Sequence, residues 1–315
     1  MLEKRIIVLG ANPAWQKTLF FDTFTPGKVN RAYDEKNYSS GKGVNFCRAL
    51  RCSGAAQEHL FQFAGGINGK RLCDGLNADG FFYTTIETEA ETRCCITCLD
   101  KNGNMTEFIG KSSPVLPQES AAMLQALKNA LPEAGVMAIT GSLPDGSDPM
   151  LVADAAKSAI AADVPVLIDA LIMIREILAL PGKIILKVNK EEFLRIFNCN
   201  DLIAAHKLAA EKFPDKIFAI TDGGDNATLS DGKNLFIYTM PKINVISPLG
   251  AGDTASAVMA ALYAEGQTPQ EAFKQALAAA SANCENAVAG QYLPARALEI
   301  VNKITVTCIP LEKKA

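Results

Sequence analysis

The stretch that decides the fold is "NVISPLGAGDTASAVMAAL", residues 244–262. An apolar start, a tight glycine turn and a run of small apolar residues predict a strand that ends near Ile246 and passes through the turn into a helix. Glycines allow a turn whose N–H groups point outward, and a helix N-terminus adds partial positive charge. The segment therefore predicts an anion site formed by the amides of Gly250, Ala251 and Gly252.

Asp253 follows this turn directly and falls in the first turn of the predicted helix. A carboxylate at that place is often a helix cap. Beside a bound phosphate, the same group could instead accept a proton from an attacking hydroxyl while the amides stabilise the transferred group. The local pattern leaves both roles open.

Six short apolar runs alternate with segments of helical periodicity along the chain. They are "RIIVLGA" (5–11), "LFQFAGG" (60–66), "GVMAITGS" (135–142), "VPVLIDA" (164–170), "KIILKVN" (183–189) and "IFAITDGG" (217–224). Such alternation predicts an α/β fold in which right-handed βαβ units form a mostly parallel sheet with helices on both faces. The loops at the carboxyl ends of those strands are expected to face the ligand.

Two stretches depart from this alternation. Residues 17–39 alternate apolar and polar side chains without a helical pattern, and residues 81–110 predict antiparallel strands joined by a turn at "DKNGN". Together they predict a small antiparallel β-sheet lid, formed by about 12–38 and 82–111, within one domain that spans 1–315. Because exposed sheets are usually covered, the outer face of the lid could pair with another copy of the chain, and we expect a homodimer formed through the lid.

Composition limits the classes of ligand and location. The 315 residues are 49% hydrophobic and 21% charged with a net charge of −3, which is typical of a soluble globular protein that binds small molecules. No basic cluster predicts binding to nucleic acid or to a membrane surface, and the first apolar run is too short for a signal peptide or a membrane span. Nine cysteines, an odd number, fit the reduced thiols of a cytoplasmic protein.

Two further segments carry candidate ligands. In "SSGKGVNFCRAL", Lys42 lies between two glycines and could neutralise a sugar or phosphate group, while Asn45 offers a donor and an acceptor to hydroxyls. In "KVNKEEF", Asn189 and Glu192 follow a strand and lie three residues apart. Oxygen ligands at that spacing suit magnesium, although a glutamate at a helix start also serves as a cap.

Arg93 is predicted on a lid strand, where an inward guanidinium could bind a phosphate and an outward one would be solvated. Other sequence patterns argue against P-loop nucleotide binding, histidine-based hydrolysis and a cysteine metal site. The chain has neither a Walker A motif nor G-x-G-x-x-G, so if the protein uses ATP, it binds ATP without a P-loop. Neither histidine has a nearby nucleophile, and the cysteines at 94, 95 and 98 lack metal-binding partners.

Seven motifs in register extend the interpretation across nearly the whole chain. They are "NPAWQKT" (12–18), "VNR" (29–31), "SGKGVN" (40–45), "ETR" (91–93), "ITGSLP" (139–144), "KVNKEE" (187–192) and "SPLGAGDT" (247–254). In this order and spacing the sequence resembles the PfkB (ribokinase-like) family of carbohydrate kinases, and within it the branch of 1-phosphofructokinase and tagatose-6-phosphate kinase.

The resemblance implies a ribokinase-like three-layer sandwich with a β-sheet lid that often mediates dimers. It also implies transfer of the γ-phosphoryl group of ATP, with Mg²⁺, to a hydroxyl of a sugar phosphate of the fructose 1-phosphate or tagatose 6-phosphate type. The implied roles are catalytic base for Asp253 with the amides of Gly250, Ala251 and Gly252; sugar binding for Gly41, Lys42 and Asn45; phosphate binding for Arg93 and Arg31; magnesium binding for Asn189 and Glu192; and nucleotide binding for Lys187, Thr221, Gly223 and Asn283.

Departures from the family pattern concern the sugar. Gln16 stands where that branch has an aspartate that binds sugar hydroxyls, and Ser40 replaces a glycine of the G-G-K-G pattern. Glutamine keeps an acceptor but has no charge and is longer, so the sugar can differ from that of the relatives. Two alternatives stay open: a kinase of an unphosphorylated sugar or nucleoside, and a sugar-binding regulator without catalysis.

Overall fold

Two β-sheets organise the chain in the computed structural model, which describes residues 5–112, 114–224 and 226–311. The large sheet has ten strands in the order β14-β13-β12-β11-β10-β9-β8-β1-β4-β5, and the small sheet has four in the order β3-β2-β6-β7. The strands are β1 (Arg5–Leu9), β2 (Ala14–Phe21), β3 (Asp34–Ser40), β4 (Glu58–Ala64), β5 (Tyr83–Glu87), β6 (Cys94–Asp100), β7 (Met105–Ile109), β8 (Ala134–Thr140), β9 (Val166–Asp169), β10 (Ile184–Asn189), β11 (Ile217–Asp222), β12 (Asn226–Ser230), β13 (Asn234–Thr239) and β14 (Thr305–Pro310).

Helices connect most of these strands. They are α1 (Lys42–Ser53), α2 (Gly66–Ala78), α3 (Pro117–Ala130), α4 (Met150–Ala161), α5 (Ile174–Leu178), α6 (Lys190–Phe197), α7 (Leu202–Lys212), α8 (Ala251–Ala264), α9 (Pro269–Cys284) and α10 (Pro294–Val301). Helix α9 has a capped start, because the Thr268 side chain accepts a hydrogen bond from the Glu271 amide and proline occupies the first turn.

The large sheet is parallel from β5 to β11, and all six predicted buried strands belong to this part. From β1 the chain adds β4 and β5 on one side, whereas β8 to β11 follow on the other. The loops after β1 and β8 therefore diverge and leave a crevice at the carboxyl ends of the strands, where ligands bind in open α/β sheets.

Alternate side chains of the buried strands fill two cores, as the predicted three-layer architecture requires. Ile6 and Val8 of β1 pack with residues of α1, α2, α8, α9 and α10. Ile7 and Leu9 point to the opposite face and pack with residues of α3 to α7. The strands are apolar on both faces because helices cover both.

The small sheet differs from the expected lid in two respects. Strand β2 pairs with β6 in parallel, while β2–β3 and β6–β7 are antiparallel, so the sheet is mixed. Strand β5 lies in the large sheet beside β4 and not in the lid region expected at 82–111. The helix between β4 and β5 makes a βαβ crossover, and such a crossover returns the chain to the same sheet as a parallel strand.

The strand predicted to end near Ile246 is absent, since no residue from 241 to 250 lies in a strand. The amides of Ile246 and Ser247 instead donate to the Cys284 carbonyl at the end of α9, at 2.8 and 3.1 Å. This segment therefore reaches the anion-site turn along α9. Within the described ranges, no helix combines the length and apolar character needed to cross a membrane.

Candidate active site

A cavity of about 700 Å³ lies at the carboxyl ends of the parallel strands, beneath one face of the small sheet. The loops after β1, β8 and β9 line one wall, and the first turns of α1 and α8 line another. Of the residues predicted for the site, twelve line this cavity: Gln16, Gly41, Lys42, Asn45, Arg93, Lys187, Asn189, Glu192, Thr221, Gly250, Gly252 and Asp253. Residues distant in sequence thus meet in one chamber.

The anion-site turn begins α8 with Gly250 as the N-cap residue, at φ 81°. That left-handed conformation favours glycine, which has no Cβ. The amides of Gly250, Gly252 and Asp253 donate to no acceptor in the part of the chain that the structure describes. Ala251 differs, because its amide donates to the Pro248 carbonyl at 3.3 Å and the residue does not line the cavity. The amides that remain available for the predicted anion site are therefore those on either side of Ala251.

Asp253 is buried, and its side chain makes no capping hydrogen bond to the start of α8. Its Oδ2 accepts instead from Asn45 Nδ2 of α1 at 2.8 Å. The cap interpretation is therefore wrong for this residue. Burial raises the pKa of the Asp253 carboxyl above its usual value, although Lys42 acts in the opposite direction. A raised pKa makes the carboxylate a better proton acceptor.

The Asn45 amide has a defined orientation. Its Oδ1 accepts from the Ser40 hydroxyl at 3.0 Å and lies 3.4 Å from a guanidinium nitrogen of Arg48. Because two donors face the amide oxygen, the amide nitrogen is directed at Asp253. Ser40, the departure from the glycine pattern, therefore contributes to the position of the carboxylate.

Two lysines converge on a second buried carboxylate, Asp169, at the end of β9. Lys42 Nζ lies 2.8 Å from its Oδ1 and Lys187 Nζ 3.2 Å from its Oδ2, and the Ser256 hydroxyl donates to Oδ2 at 2.7 Å. Burial alone would raise the pKa of Asp169, but the two lysines outweigh it and hold the pKa well below its usual range. Asp169 thus remains charged and holds both cations near the anion site.

Sequence reasoning missed Asp169, although its place gave a signal. It is the single carboxylate of "VPVLIDA" and stands at the carboxyl end of a buried strand, where ligand-facing residues are expected. Lys187, predicted on the nucleotide side, is itself buried and also donates to the Gly252 carbonyl at 2.9 Å. Its charge therefore acts from directly behind the anion-site turn.

Asn12 and Thr140 are two further polar residues of the cavity that were not predicted as ligands. Asn12 donates to the hydroxyls of Ser112 and Ser142, at 2.7 and 3.0 Å. Thr140 lies at the end of β8, and its buried hydroxyl has no partner among the described residues. Such a group is available to a bound ligand.

Gln16 of β2 and Arg93 lie in the wall below the small sheet, although Arg93 directly precedes β6 and is not on a lid strand as predicted. Gln16 is buried, and its Nε2 donates to the Thr97 hydroxyl of β6 at 2.9 Å. Arg93 donates through Nη2 to the Asn12 carbonyl at 2.8 Å and through Nε to the Pro13 carbonyl at 3.3 Å. These bonds fix the guanidinium plane, and Nη1 donates to no described residue. Its remaining donors are available to an anion in the cavity.

Asn189 and Glu192 form a capping box at the start of α6. Asn189 Oδ1 accepts from the Glu192 amide at 2.9 Å, and Glu192 Oε2 accepts from the Asn189 amide at 3.1 Å. The cap alternative is therefore confirmed for this pair, but it does not exclude magnesium, since both residues line the cavity and Glu192 Oε1 accepts from no described residue. Magnesium retains several waters and uses one or two carboxylates with substrate phosphates, which this donor set can supply.

No group of three or more histidine, cysteine, aspartate or glutamate residues within the described ranges could hold a metal ion by itself. Any magnesium would depend on phosphates for the remaining ligands.

Three other predicted residues lie outside the cavity. Arg31 is exposed and does not line it, and Gly223 lies beyond it in the turn after β11. Asn283 is fully buried, so it is not a direct wall of a nucleotide pocket. Its Nδ2 donates to the Leu249 carbonyl at 2.9 Å and its Oδ1 accepts from the Gly290 amide at 2.7 Å. Asn283 thus supports the anion-site turn from behind.

The cavity, the glycine turn and the buried carboxylate are the features expected of an enzyme that transfers a charged group, and comparison with known proteins gives the family. Residues 6–296 match the family described as pfkB family carbohydrate kinase. The chain belongs to this family, and it is a phosphotransferase that acts on carbohydrates.

Named relatives cover most of the chain. It is 29% identical over 284 residues to 1-phosphofructokinase of Borreliella burgdorferi, covering 88% of this chain and 91% of that protein. It is 25% identical over 309 residues to tagatose-6-phosphate kinase of Staphylococcus epidermidis, covering 96% and 99%. The crystal structure of phosphofructokinase-2 from Escherichia coli superposes with a TM-score of 0.86 at 21% identity, covering 95% and 99%. That structural likeness confirms the fold.

Proposed function

We propose that this carbohydrate kinase transfers the γ-phosphoryl group of ATP to a hydroxyl of a sugar phosphate, of the fructose 1-phosphate or tagatose 6-phosphate type. The observation that carries the proposal is the buried Asp253 carboxylate, which adjoins three unpaired amides at the N-terminus of α8. A base and an anion site in contact are what in-line phosphoryl transfer requires.

In this mechanism Asp253 accepts the proton of the acceptor hydroxyl. The hydroxyl oxygen forms a bond to the γ-phosphorus while the bond to the β-bridging oxygen breaks and ADP leaves. Asn45 holds the carboxylate in place, and Lys42 and Lys187 lie close enough to Asp169 and the turn to offset negative charge on the transferred group. Glu192 would hold magnesium in part, and the bound metal would offset negative charge on the phosphates.

Arg93 supports a phosphorylated sugar as the acceptor. Its guanidinium lines the cavity from the small sheet, and two carbonyl acceptors fix its orientation while leaving donors free. Guanidinium groups held in this way suit phosphate oxygens. The relatives named 1-phosphofructokinase and tagatose-6-phosphate kinase support this choice of acceptor.

The test measures ADP release with a panel of sugars and sugar phosphates for wild type, Asp253→Asn, Arg93→Ala and Gln16→Asp. We expect Asp253→Asn to lose activity on every acceptor and Arg93→Ala to raise KM for sugar phosphates alone. Gln16→Asp is expected to change the order of preference among sugars, because it removes the bond to Thr97 and adds a charge.

Each alternative predicts a different result. A kinase of unphosphorylated sugars or nucleosides would be insensitive to Arg93→Ala. A non-catalytic regulator would bind a sugar, in calorimetry, without releasing ADP from ATP. Full activity in Asp253→Asn would refute the assignment of the base.

We also propose that two copies associate through the small sheet. Phe108 of its edge strand β7 does not line the cavity and is 53% exposed, which is unusual for a large apolar side chain on a sheet edge. Sedimentation velocity of wild type and Phe108→Glu tests this, with Leu298→Glu on α10 as a control, because Leu298 is 65% exposed away from the small sheet. A monomeric wild type, or loss of association in both variants, would contradict it.

A further inference from the structure

A second cleft, of about 590 Å³, lies beside α1. Helix α1 contributes to both cavities: Lys42 and Asn45 line the candidate active site, whereas Arg48 and Arg51 line the second cleft. The other walls are β3, the turn that follows α2, and the loop between α9 and α10. No feature of the proposed phosphoryl transfer uses this cleft.

Positive charge dominates the cleft. Arg48 forms no ion pair with any carboxylate in the described part of the chain. Its guanidinium is held by the carbonyls of Ala289 and Ser39, at 2.9 and 2.6 Å, and packs over the ring of Tyr38. Carbonyl dipoles orient this cation but do not neutralise it. A partly buried cation without a counterion favours an anion nearby.

Two more cations share this cleft. Arg51 pairs with the buried Glu58 at 3.1 Å through Nη1 alone, and Lys36 is exposed on β3 without an ion pair to any described residue. The Nε of Arg48 and the Nε and Nη2 of Arg51 donate to no described acceptor. The single carboxylate among the lining residues is Asp79, which is exposed at the end of α2.

We propose that this cleft binds a small molecule carrying a phosphate group. Arg48 and Lys36, which form no ion pair with a described residue, outnumber the one lining carboxylate and give the charge. Guanidinium donors with fixed orientation give the geometry that phosphate oxygens require. A volume of about 590 Å³ is large enough for a phosphorylated metabolite and falls in the usual range for ligand sites.

Occupation of the cleft is transmitted to the active site through Arg48. The same guanidinium contacts the Asn45 amide oxygen at 3.4 Å, and Asn45 donates to Asp253 at 2.8 Å. It also holds the Ser39 carbonyl, next to Ser40, whose hydroxyl is the second donor to Asn45. An anion that shifts Arg48 therefore shifts the two groups that orient Asn45, and with them the carboxylate.

The binding experiment is calorimetric titration with inorganic phosphate at constant ionic strength maintained with chloride. We expect two classes of site per chain, one in the active site and one in the second cleft, and Arg93→Ala should weaken only the first. Lys36→Glu and Asp79→Lys change exposed charges in opposite directions at the second cleft. Lys36→Glu should weaken the second class by at least about fivefold, and Asp79→Lys should strengthen it by a similar factor.

These binding results do not depend on the kinase assignment, because no turnover is measured. The proposal is overturned if Arg93→Ala weakens every phosphate site, or if wild type, Lys36→Glu and Asp79→Lys bind phosphate with equal affinity. If Lys36→Glu does not fold, Asp79→Lys still tests the same charge with the opposite sign.

The coupling is measured by kinase assays of wild type and Lys36→Glu with increasing phosphate. Both have the same active site, so competition with substrate there is common to both. We expect an additional change in kcat/KM of at least about fivefold in wild type alone. Identical phosphate dependence in the two proteins would refute transmission through Arg48.

Discussion

Replacing Asp253 by asparagine is expected to lower activity and raise stability at once. The side chain is buried, accepts from Asn45 and makes no capping bond to α8. Asparagine has nearly the same shape and its oxygen can accept the same hydrogen bond, so the substitution removes mainly the charge and the basicity. Loss of a general base typically costs 10²–10⁴-fold in rate, and we expect kcat to fall within about that range.

The sign of the stability change follows from the pKa. Burial raises the pKa of Asp253 in the folded protein, so the folded state binds the proton more tightly than the unfolded chain. Above the unfolded pKa, folding must therefore confine a charge that the unfolded chain exposes to water. Each unit of raised pKa lowers the stability at pH 7 by about 1.4 kcal/mol, and Asp253→Asn recovers this amount. In a chain of this size each kcal/mol raises Tm by about 2 °C.

Asp201 provides the matched control, because its side chain is a true helix cap that accepts from the Ala204 amide at 2.7 Å. Asp201→Ala should lower the free energy of unfolding by about 1 kcal/mol and leave kcat unchanged. The assay is ADP release together with calorimetric melting at pH 7. The reasoning is refuted if Asp253→Asn keeps wild-type kcat, or if it loses stability as Asp201→Ala does.

Three further predictions concern residues around the site and in the core. Gly290→Ala should lower the free energy of unfolding by about 2–5 kcal/mol and lower kcat, because a Cβ at φ 78° would overlap the backbone carbonyl of Asn45. The control Gly266→Ala, at φ 89° with open space around it, should cost about 1–2 kcal/mol and keep kcat. Burial lowers the pKa of His206 to about 4, so as the pH falls the unfolded chain takes up this proton before the folded protein does. Urea unfolding should therefore show about 2 kcal/mol less stability at pH 5 than at pH 7, and His206→Gln should remove that difference. Glu192→Gln should raise the Mg²⁺ concentration for half-maximal activity by about tenfold in ADP-release assays, while the Tm stays unchanged because glutamine also completes a capping box. Equal Mg²⁺ dependence in the variant and wild type would exclude the metal role.

The parallel part of the fold could be predicted because its strands are buried on both faces and are therefore continuous apolar runs, as "KIILKVN" shows. The antiparallel strands β12 to β14 escaped prediction, although Asp231 and Gly232 between β12 and β13 are a typical hairpin signal. The prediction of a strand at 244–246 is wrong for another reason. Backbone amides of this segment bond to the carboxyl end of α9 rather than to a neighbouring strand, and such bonding to a distant helix leaves no periodicity in the sequence.

The candidate site was predicted where its residues belong to glycine-containing turns or helix starts, since these have local signatures. Asp169 has none, because its importance comes from two lysines 127 residues before it and 18 residues after it in the chain. Arg31 and Asn283 show the converse. A position in a family motif predicts that a residue matters, but it does not distinguish a ligand from a side chain that supports the ligand-binding turn.

Gln16 is structurally separate from the residues proposed for phosphoryl transfer. Those residues are held by α1, α8 and β9, whereas Gln16 lies on the small sheet and is anchored to Thr97 of the adjacent strand. No hydrogen bond in the described structure links Gln16 to Asp253, Asn45 or the two lysines. A change at position 16 therefore alters the groups presented to the sugar without moving the base, so the choice of sugar can vary independently of the phosphoryl-transfer step.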